Sequence, residues 1–160
     1  MKDADINLSP ARLSICYPIR VKNSDKPEEK PMSKKIQYRN GRVIGELLEK
    51  IGPKNAAVRN DSEWELQVYY SDRDEDSMNS EMCLHTTVQG DSLYDPSMRI
   101  ELDFDAKGHV KTAKALSYWS RTPFCDVELT PEDEDLDERL DNWLNNLKIQ
   151  GYFEGDVTDL

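Results

Sequence analysis

The chain has 160 residues, of which 32 are acidic and 21 are basic, and its net charge is -11. This length suits a single domain, and the acidic balance argues against direct binding to nucleic acid or to an anionic membrane. The sequence contains no apolar run long enough for a transmembrane helix, and its first residues, MKDADINLSP, carry acids where a signal peptide carries basic residues. We therefore expect a cytoplasmic protein whose cysteines, Cys16, Cys83 and Cys125, are reduced.

The charge is divided unevenly along the chain. Residues 1–60 contain 13 Lys and Arg against 7 Asp and Glu, a net charge of +6, whereas residues 61–160 contain 8 against 25, a net charge of -17. An acidic surface of this kind attracts basic protein surfaces, although solubility alone is the simpler explanation.

The domain organisation follows from composition. Residues 22–35, KNSDKPEEKPMSKK, are almost wholly polar and include two prolines, which is typical of a linker. We expect residues 1–35 to form a flexible arm and linker, residues 36–153 a single domain, and residues 154–160 an acidic tail.

The first predicted helix covers residues 40–52, where Val43, Ile44, Leu47, Leu48 and Ile51 form one apolar stripe. Asn40 is a suitable N-cap, and the Gly-Pro pair at 52–53 ends the helix.

Alternating apolar residues then predict strands at 63–70, 82–88 and 98–104. Residues 105–108 form a tight turn ending in glycine, and the chain returns as a strand over 109–119, with a bulge expected near Ala113 because the alternation slips there. Residues 124–129 add a further short strand. The fold class is therefore α+β, with an antiparallel sheet of about four to five strands and one helix from each end of the domain packed on one face.

The last helix is predicted to begin after an N-cap at Thr130, with Pro131 in the first helical position. Its apolar stripe contains Leu136, Leu140, Trp143, Leu144 and Leu147. Acids at the start of the helix favour its N-terminus, but three further acids are expected to point away from the stripe into water: Asp137, Glu138 and Asp141.

A second group of acids lies in the loop after the first strand and contains Asp72, Asp74, Glu75 and Asp76. Their spacing resembles part of a calcium-binding loop, but the required glycine and glutamate are missing. We count these acids, together with Tyr69 and Tyr118 as aromatic side chains near exposed positions, among the candidate partner-binding residues.

Candidate metal and catalytic groups are few. Cys83 and His85 lie two residues apart on one strand, but no paired ligands complete a zinc site. No nucleophile, phosphate-binding or metalloprotease motif occurs, so the residues give no positive support for an enzyme and imply no cofactor.

PSMRIELDFDA at 96–106 and LDNWLNNL at 140–147 resemble the YqiB-like proteins, an uncharacterised bacterial family, over the C-terminal half of the chain. The resemblance implies a small cytosolic bacterial protein and assigns no site residue.

Two hypotheses for the function follow. The first is a non-catalytic interaction protein whose acidic face docks on a basic protein surface. In its sharper form the face imitates nucleic acid and covers a nucleic-acid-binding protein, as a counter-defence inhibitor from a phage or mobile element would do. The alternative is a binding module for a small molecule or peptide.

Overall fold

The computed structural model describes residues 31–73, 76–121 and 125–160. Two helices lie among them, α1 at Pro31–Ile51 and α2 at Leu136–Ile149, together with a short 3₁₀ helix at Tyr152–Glu154. The strands are β1 Ala56–Arg59, β2 Glu65–Arg73, β3 Ser77–Val88, β4 Asp91–Phe104, β5 Val110–Arg121, β6 Asp126–Leu129 and β7 Asp156–Asp159.

The strands form one antiparallel sheet of seven strands in the order β6-β5-β4-β3-β2-β1-β7. The α+β class predicted from sequence is therefore confirmed, but the sheet is larger than the four to five strands expected. Two strands were missed. β1 has four residues without alternation, and β7 occupies the segment expected to be an acidic tail, where it pairs with β1.

The hydrophobic core lies between the helices and one face of the sheet. Alternate residues of β4, Met98, Ile100 and Leu102, are almost fully buried there and belong to the same hydrophobic cluster as Leu140 and Leu144 of α2. Apolar and polar residues alternate along the strands, and successive side chains of a strand point to opposite faces of the sheet. The apolar side chains therefore lie on the face that the helices cover.

Two register shifts occur between β4 and β5, at Arg99/Ile100 and at Asp103/Phe104. One bulge was predicted near Ala113, where the alternation slips. The structure has two irregularities there, one on either side of Ala113. The turn that joins these strands ends at Gly108, whose φ of 85° is the left-handed conformation expected for it.

α1 begins nine residues earlier than predicted. Asn40, expected to be its N-cap, is fully buried in the middle of the helix, and residues 31–35 of the predicted linker are helical. A Cβ atom at Gly41 would lie 2.6 Å from the carbonyl oxygen of Lys111, so only glycine allows α1 to approach β5 this closely.

α2 begins six residues later than the predicted cap at Thr130. The Thr130 backbone N–H donates to Asp133 Oδ2 at 2.9 Å, which closes a turn and not a helix. Asp135 caps the helix instead, because its carboxylate accepts a hydrogen bond from the backbone N–H of Glu138 at 3.2 Å.

The cysteines differ from expectation in one respect. Cys83 is a buried free thiol, as predicted, but Cys125 is disulfide-bonded and the expectation that it is reduced is wrong; Cys16 lies outside the described residues. In the described part of the chain, neither helix combines the length and apolar character needed to cross a membrane.

Candidate functional site

The acids of α2 separate onto two sides of the helix, and the side that faces α1 is internal. Asp137 is only 7% exposed. Its Oδ2 accepts hydrogen bonds from Ser33 Oγ at 3.0 Å and Gln37 Nε2 at 2.8 Å, and its Oδ1 accepts one from the backbone N–H of Ala115 at 2.8 Å. The expectation that Asp137 points into water is wrong. A carboxylate can be buried here because α1 and β5 supply three donors to it.

Asp141, one turn further along α2, is also buried. Its carboxylate forms a bidentate ion pair with the guanidinium of Arg39 in α1, with N–O distances of 2.8 and 2.6 Å. Hydrogen bonding to Asp141 raises the pKa of Arg39 above its ordinary value. The expected exposure of Asp141 is therefore wrong as well, and both acids join the two helices.

The opposite side of α2 borders an open groove of about 530 Å³, which we call the α2 groove. One wall is the exposed side of α2, and the other wall is formed by Pro96 of β4 and Tyr118 of β5. Glu134 and the N-cap Asp135 line it just before α2, and the lining residues of α2 itself are Glu138, Arg139, Asn142, Trp143 and Asn146.

The charged side chains of the α2 groove differ in whether they form ion pairs or hydrogen bonds. Arg139 donates to both carboxylate oxygens of Glu134, at 2.8 and 2.6 Å, and its guanidinium lies over the Tyr118 ring, 4.4 Å from the centroid. Asp135 is used as the helix cap. Glu138 is exposed, and its carboxylate makes no hydrogen bond or ion pair with any residue that the structure describes. The groove therefore keeps a free negative charge, while its cation is already neutralised.

Apolar surface lies beside these acids. Tyr118 and Trp143 are both partly buried and pack against the hydrophobic core. Trp143 was predicted to lie in the core stripe, and it does pack against the core, but it is only partly buried and also lines the groove. Aromatic faces next to carboxylates suit the long apolar stems and cationic heads of Lys and Arg.

A second depression of about 560 Å³ lies beyond the C-terminal end of α2, and we call it the Trp64 hollow. Its lining includes Asp61, Trp64, Leu84 and Asp95. Tyr152 fixes its base, because the Tyr152 hydroxyl donates to the carbonyl of Trp64 at 3.0 Å. Asp95 directly precedes Pro96 of the α2 groove, so neighbouring residues of β4 line the two depressions.

Tyr69, another predicted contact residue, lies on the other face of the sheet. Its hydroxyl donates to Gln67 Oε1 at 2.6 Å, and the Gln67 amide donates to Glu65, which also binds Arg59. Burial raises the pKa of Tyr69. Burial would also raise the pKa of Glu65, but hydrogen bonds from Gln67 and Arg59 outweigh it and hold that pKa below its ordinary value.

Asp76, one of the predicted loop acids, lies far from Pro96 in the α2 groove. The backbone carbonyl of Asp76 accepts a hydrogen bond from the backbone N–H of Phe104, the last residue of β4. Phe104 is eight strand residues from Pro96, a separation of about 26 Å. Asp72 lies in β2, and Asp74 and Glu75 lie outside the described residues. Among the predicted contacts that the structure describes, Glu138 and Tyr118 therefore share one groove, whereas Tyr69, Asp76, Asp137 and Asp141 do not line it.

Neither depression contains an obvious reactive group. Among the described residues, no three His, Cys, Asp or Glu side chains are placed to hold a metal ion. Cys83 is buried on the other face of the sheet, and burial, assisted by Glu81 and Glu65, raises its pKa to about 12. Such a thiol is almost entirely protonated near neutral pH and is a poor nucleophile.

Two further groove residues, Asn142 and Asn146, were not predicted from the sequence. They are exposed, and neither side-chain amide bonds to a described residue. Their spacing of four residues placed both amides on one side of the helix, which is the signal that was available.

Comparison with known proteins finds no family model, no curated protein and no solved structure that matches this chain. The resemblance to the YqiB-like proteins stays a prediction.

Proposed function

We propose that the protein is a non-catalytic interaction module whose α2 groove docks on a basic surface of a partner protein. The observation that carries this proposal is the carboxylate of Glu138, which pairs with no described residue and lines the same open groove as the partly buried Trp143. Arg139, the only basic residue among the described groove residues, is already bound by Glu134 and cannot oppose an incoming cation.

The charge of the whole chain supports a basic partner. The net charge of -11 draws cationic proteins towards the surface and repels nucleic acid and anionic lipid. Long-range attraction of this kind raises the rate of encounter, while the groove supplies short-range contacts that a general field lacks.

The proposed surface is narrower than the one expected from sequence. Asp137 and Asp141 are used inside the molecule, so they contribute little to a docking surface. Glu134, Asp135 and Glu138 remain on the groove, with Asp61 and Asp95 continuing the negative lining in the Trp64 hollow.

In the sharper form of the proposal, the partner is a nucleic-acid-binding protein and the groove acids cover its phosphate-binding surface. This form expects the protein and DNA to compete for one site on the partner. The alternative function, a small-molecule binding module, is favoured only by the groove volume, which lies in the range of ligand pockets.

A matched pair of charge reversals tests the proposal. Glu138→Lys changes the groove, whereas Glu49→Lys makes the same change in net charge at an exposed position of α1. A fluorescently labelled arginine-rich peptide serves as the probe, and its affinity is measured by anisotropy at about 50 mM and about 300 mM salt.

We expect Glu138→Lys to weaken binding about tenfold at low salt and Glu49→Lys to weaken it less than about twofold. Equal losses in the two variants would mean that net charge, and not the groove, attracts the peptide. Absence of binding by the unmodified protein at low salt would also contradict the proposal.

A further inference from the structure

The exposed side of α2 carries a row of amide side chains that continues from the α2 groove into the Trp64 hollow. Asn142 and Asn146 line the groove, and Gln150, the residue that caps the helix, lines the hollow. These residues are spaced four apart, so their side chains project on one side of the helix. None of the three side-chain amides bonds to a described residue, so each has a donor and an acceptor to offer.

The spacing of this row matches a repeat of extended polypeptide. Four residues of α-helix advance by about 6.0 Å, and two residues of an extended chain advance by about 6.6–6.8 Å. In an extended chain, every second residue presents its backbone N–H and C=O to the same side. One carboxamide can accept from that N–H and donate to that C=O, so successive amides can bind alternate residues of one strand.

We infer that the occupant of the α2 groove is an extended basic peptide segment that runs along α2 into the Trp64 hollow, with its backbone bound by Asn142, Asn146 and Gln150. This inference rests on the proposed function, because the groove acids select the basic segment. It adds the conformation of the ligand and the residues that recognise it.

The two depressions would then receive alternate side chains of the segment. The ring of Trp143 lies in one and the ring of Trp64 in the other, and each has an acid nearby, Glu138 and Asp61. A Lys or Arg side chain can place its apolar stem on the ring and its charge beside the carboxylate.

The helix also limits the length of the bound segment. Glu138 and Gln150 are twelve residues apart, which corresponds to about 18 Å along the helix. An extended chain covers that distance with about six residues. Each step of four residues also rotates by about 40° around a helix, so a longer row of amides would leave the strand.

The test compares two basic probes, of which only one has a peptide backbone. The first is an acetylated and amidated six-residue peptide of alternating Arg and Leu, and the second is spermine, a polyamine. The double variant Asn142→Ala/Asn146→Ala removes two amides, and Asn145→Ala removes a neighbouring exposed amide that does not line the groove.

We expect the double variant to weaken peptide binding about tenfold and to leave spermine binding unchanged, while Asn145→Ala changes neither. Two further peptides carry N-methyl groups on the backbone nitrogens of either the odd or the even residues. Only the set whose N–H groups face α2 should lose binding when methylated, and the other set should bind as before. Affinity should rise with peptide length up to about six residues and then level off. Unchanged melting temperatures establish that the variants are folded.

The outcomes separate this inference from the proposed function. If Glu138→Lys weakens the binding of both probes but the double variant behaves like Asn145→Ala, the groove binds cations without recognising a backbone and the inference is wrong. If Glu138→Lys has no more effect than Glu49→Lys, the proposed function itself fails.

Discussion

The two sides of α2 carry the same kinds of residue and use them differently. On the side facing α1, Asp137 and Asp141 are buried and receive donors from Ser33, Gln37 and Arg39. On the side facing the groove, Glu138 is exposed and keeps its charge unpaired among the described residues. The comparison teaches that an acid-rich helix cannot be assigned to solvent as a whole, because the donors on the neighbouring element decide where each acid lies.

The largest effect is expected from Asp137→Ala. Removing the carboxylate leaves the buried Ala115 N–H without its acceptor and also removes the bonds from Ser33 and Gln37, so the free energy of unfolding should fall by about 3–4 kcal/mol. Urea denaturation measures this change. Glu138→Ala, the adjacent control, should lower the free energy by less than about 0.5 kcal/mol. Similar losses of unfolding free energy in the two variants would contradict the difference between the buried and the exposed side of the helix.

A smaller effect is expected at the Arg39–Asp141 pair. The Asp141 side chain is 12% exposed but that of Arg39 is 49% exposed, so solvent weakens the ion pair. A double-mutant cycle with Arg39→Ala and Asp141→Ala should give a coupling free energy of about 0.5–1.5 kcal/mol, measured by urea denaturation. A coupling near zero would show that the pair is only a geometric contact.

The smallest effect concerns Glu65, a hydrogen-bonded acid on the other face of the sheet. Its pKa is held below the ordinary value, so the charged form stabilises the fold above that value, and this contribution is lost as the pH falls through the lowered pKa. Glu65→Gln should therefore be less stable than the unmodified protein at about pH 6, and the difference should narrow towards about pH 3. Unfolding free energies at the two pH values measure it. A constant difference would mean that the charge of Glu65 does not stabilise the fold.

The sequence predicted the elements that have a regular pattern. The alternation in β2 and β4 and the apolar stripe of α2 led to the right kind of element, because half-buried strands and helices repeat with different periods. β1 and β7 are only four residues long, and unlike the equally short β6, in which Val127 and Leu129 alternate with acids, they show no alternation of apolar and polar residues. β7 pairs with β1, which lies far away in the chain, so its pairing could not be deduced locally.

The start of α1 was missed although a signal was present. The stripe formed by Ile44, Leu47 and Ile51 continues backwards with helical spacing to Asn40, Gln37 and Ser33. These residues are polar, so the apolar pattern stops at Ile44 even though the helix does not. Their donors face Asp137, and the two errors, a short α1 and an exposed Asp137, therefore have one cause.

The candidate site was predicted only in part. An acidic, aromatic surface was expected, and Glu138 and Tyr118 do lie in one groove. The amides of Asn142 and Asn146 were not predicted as contacts, because uncharged polar residues are common on exposed helix surfaces. Only the three-dimensional structure shows that Pro96 and Tyr118 face them across a groove.

The bonds of Asp137 also bear on the order in which the chain folds. Ser33 and Gln37 lie 104 and 100 residues before it, and Ala115 lies 22 residues before it. Closing such long loops costs entropy that is recovered only when the intervening sheet has formed. The seam between the helices is therefore expected to close after the main folding barrier. Interactions that form so late mainly slow unfolding, so this carboxylate should extend the lifetime of the native state more than it speeds its formation.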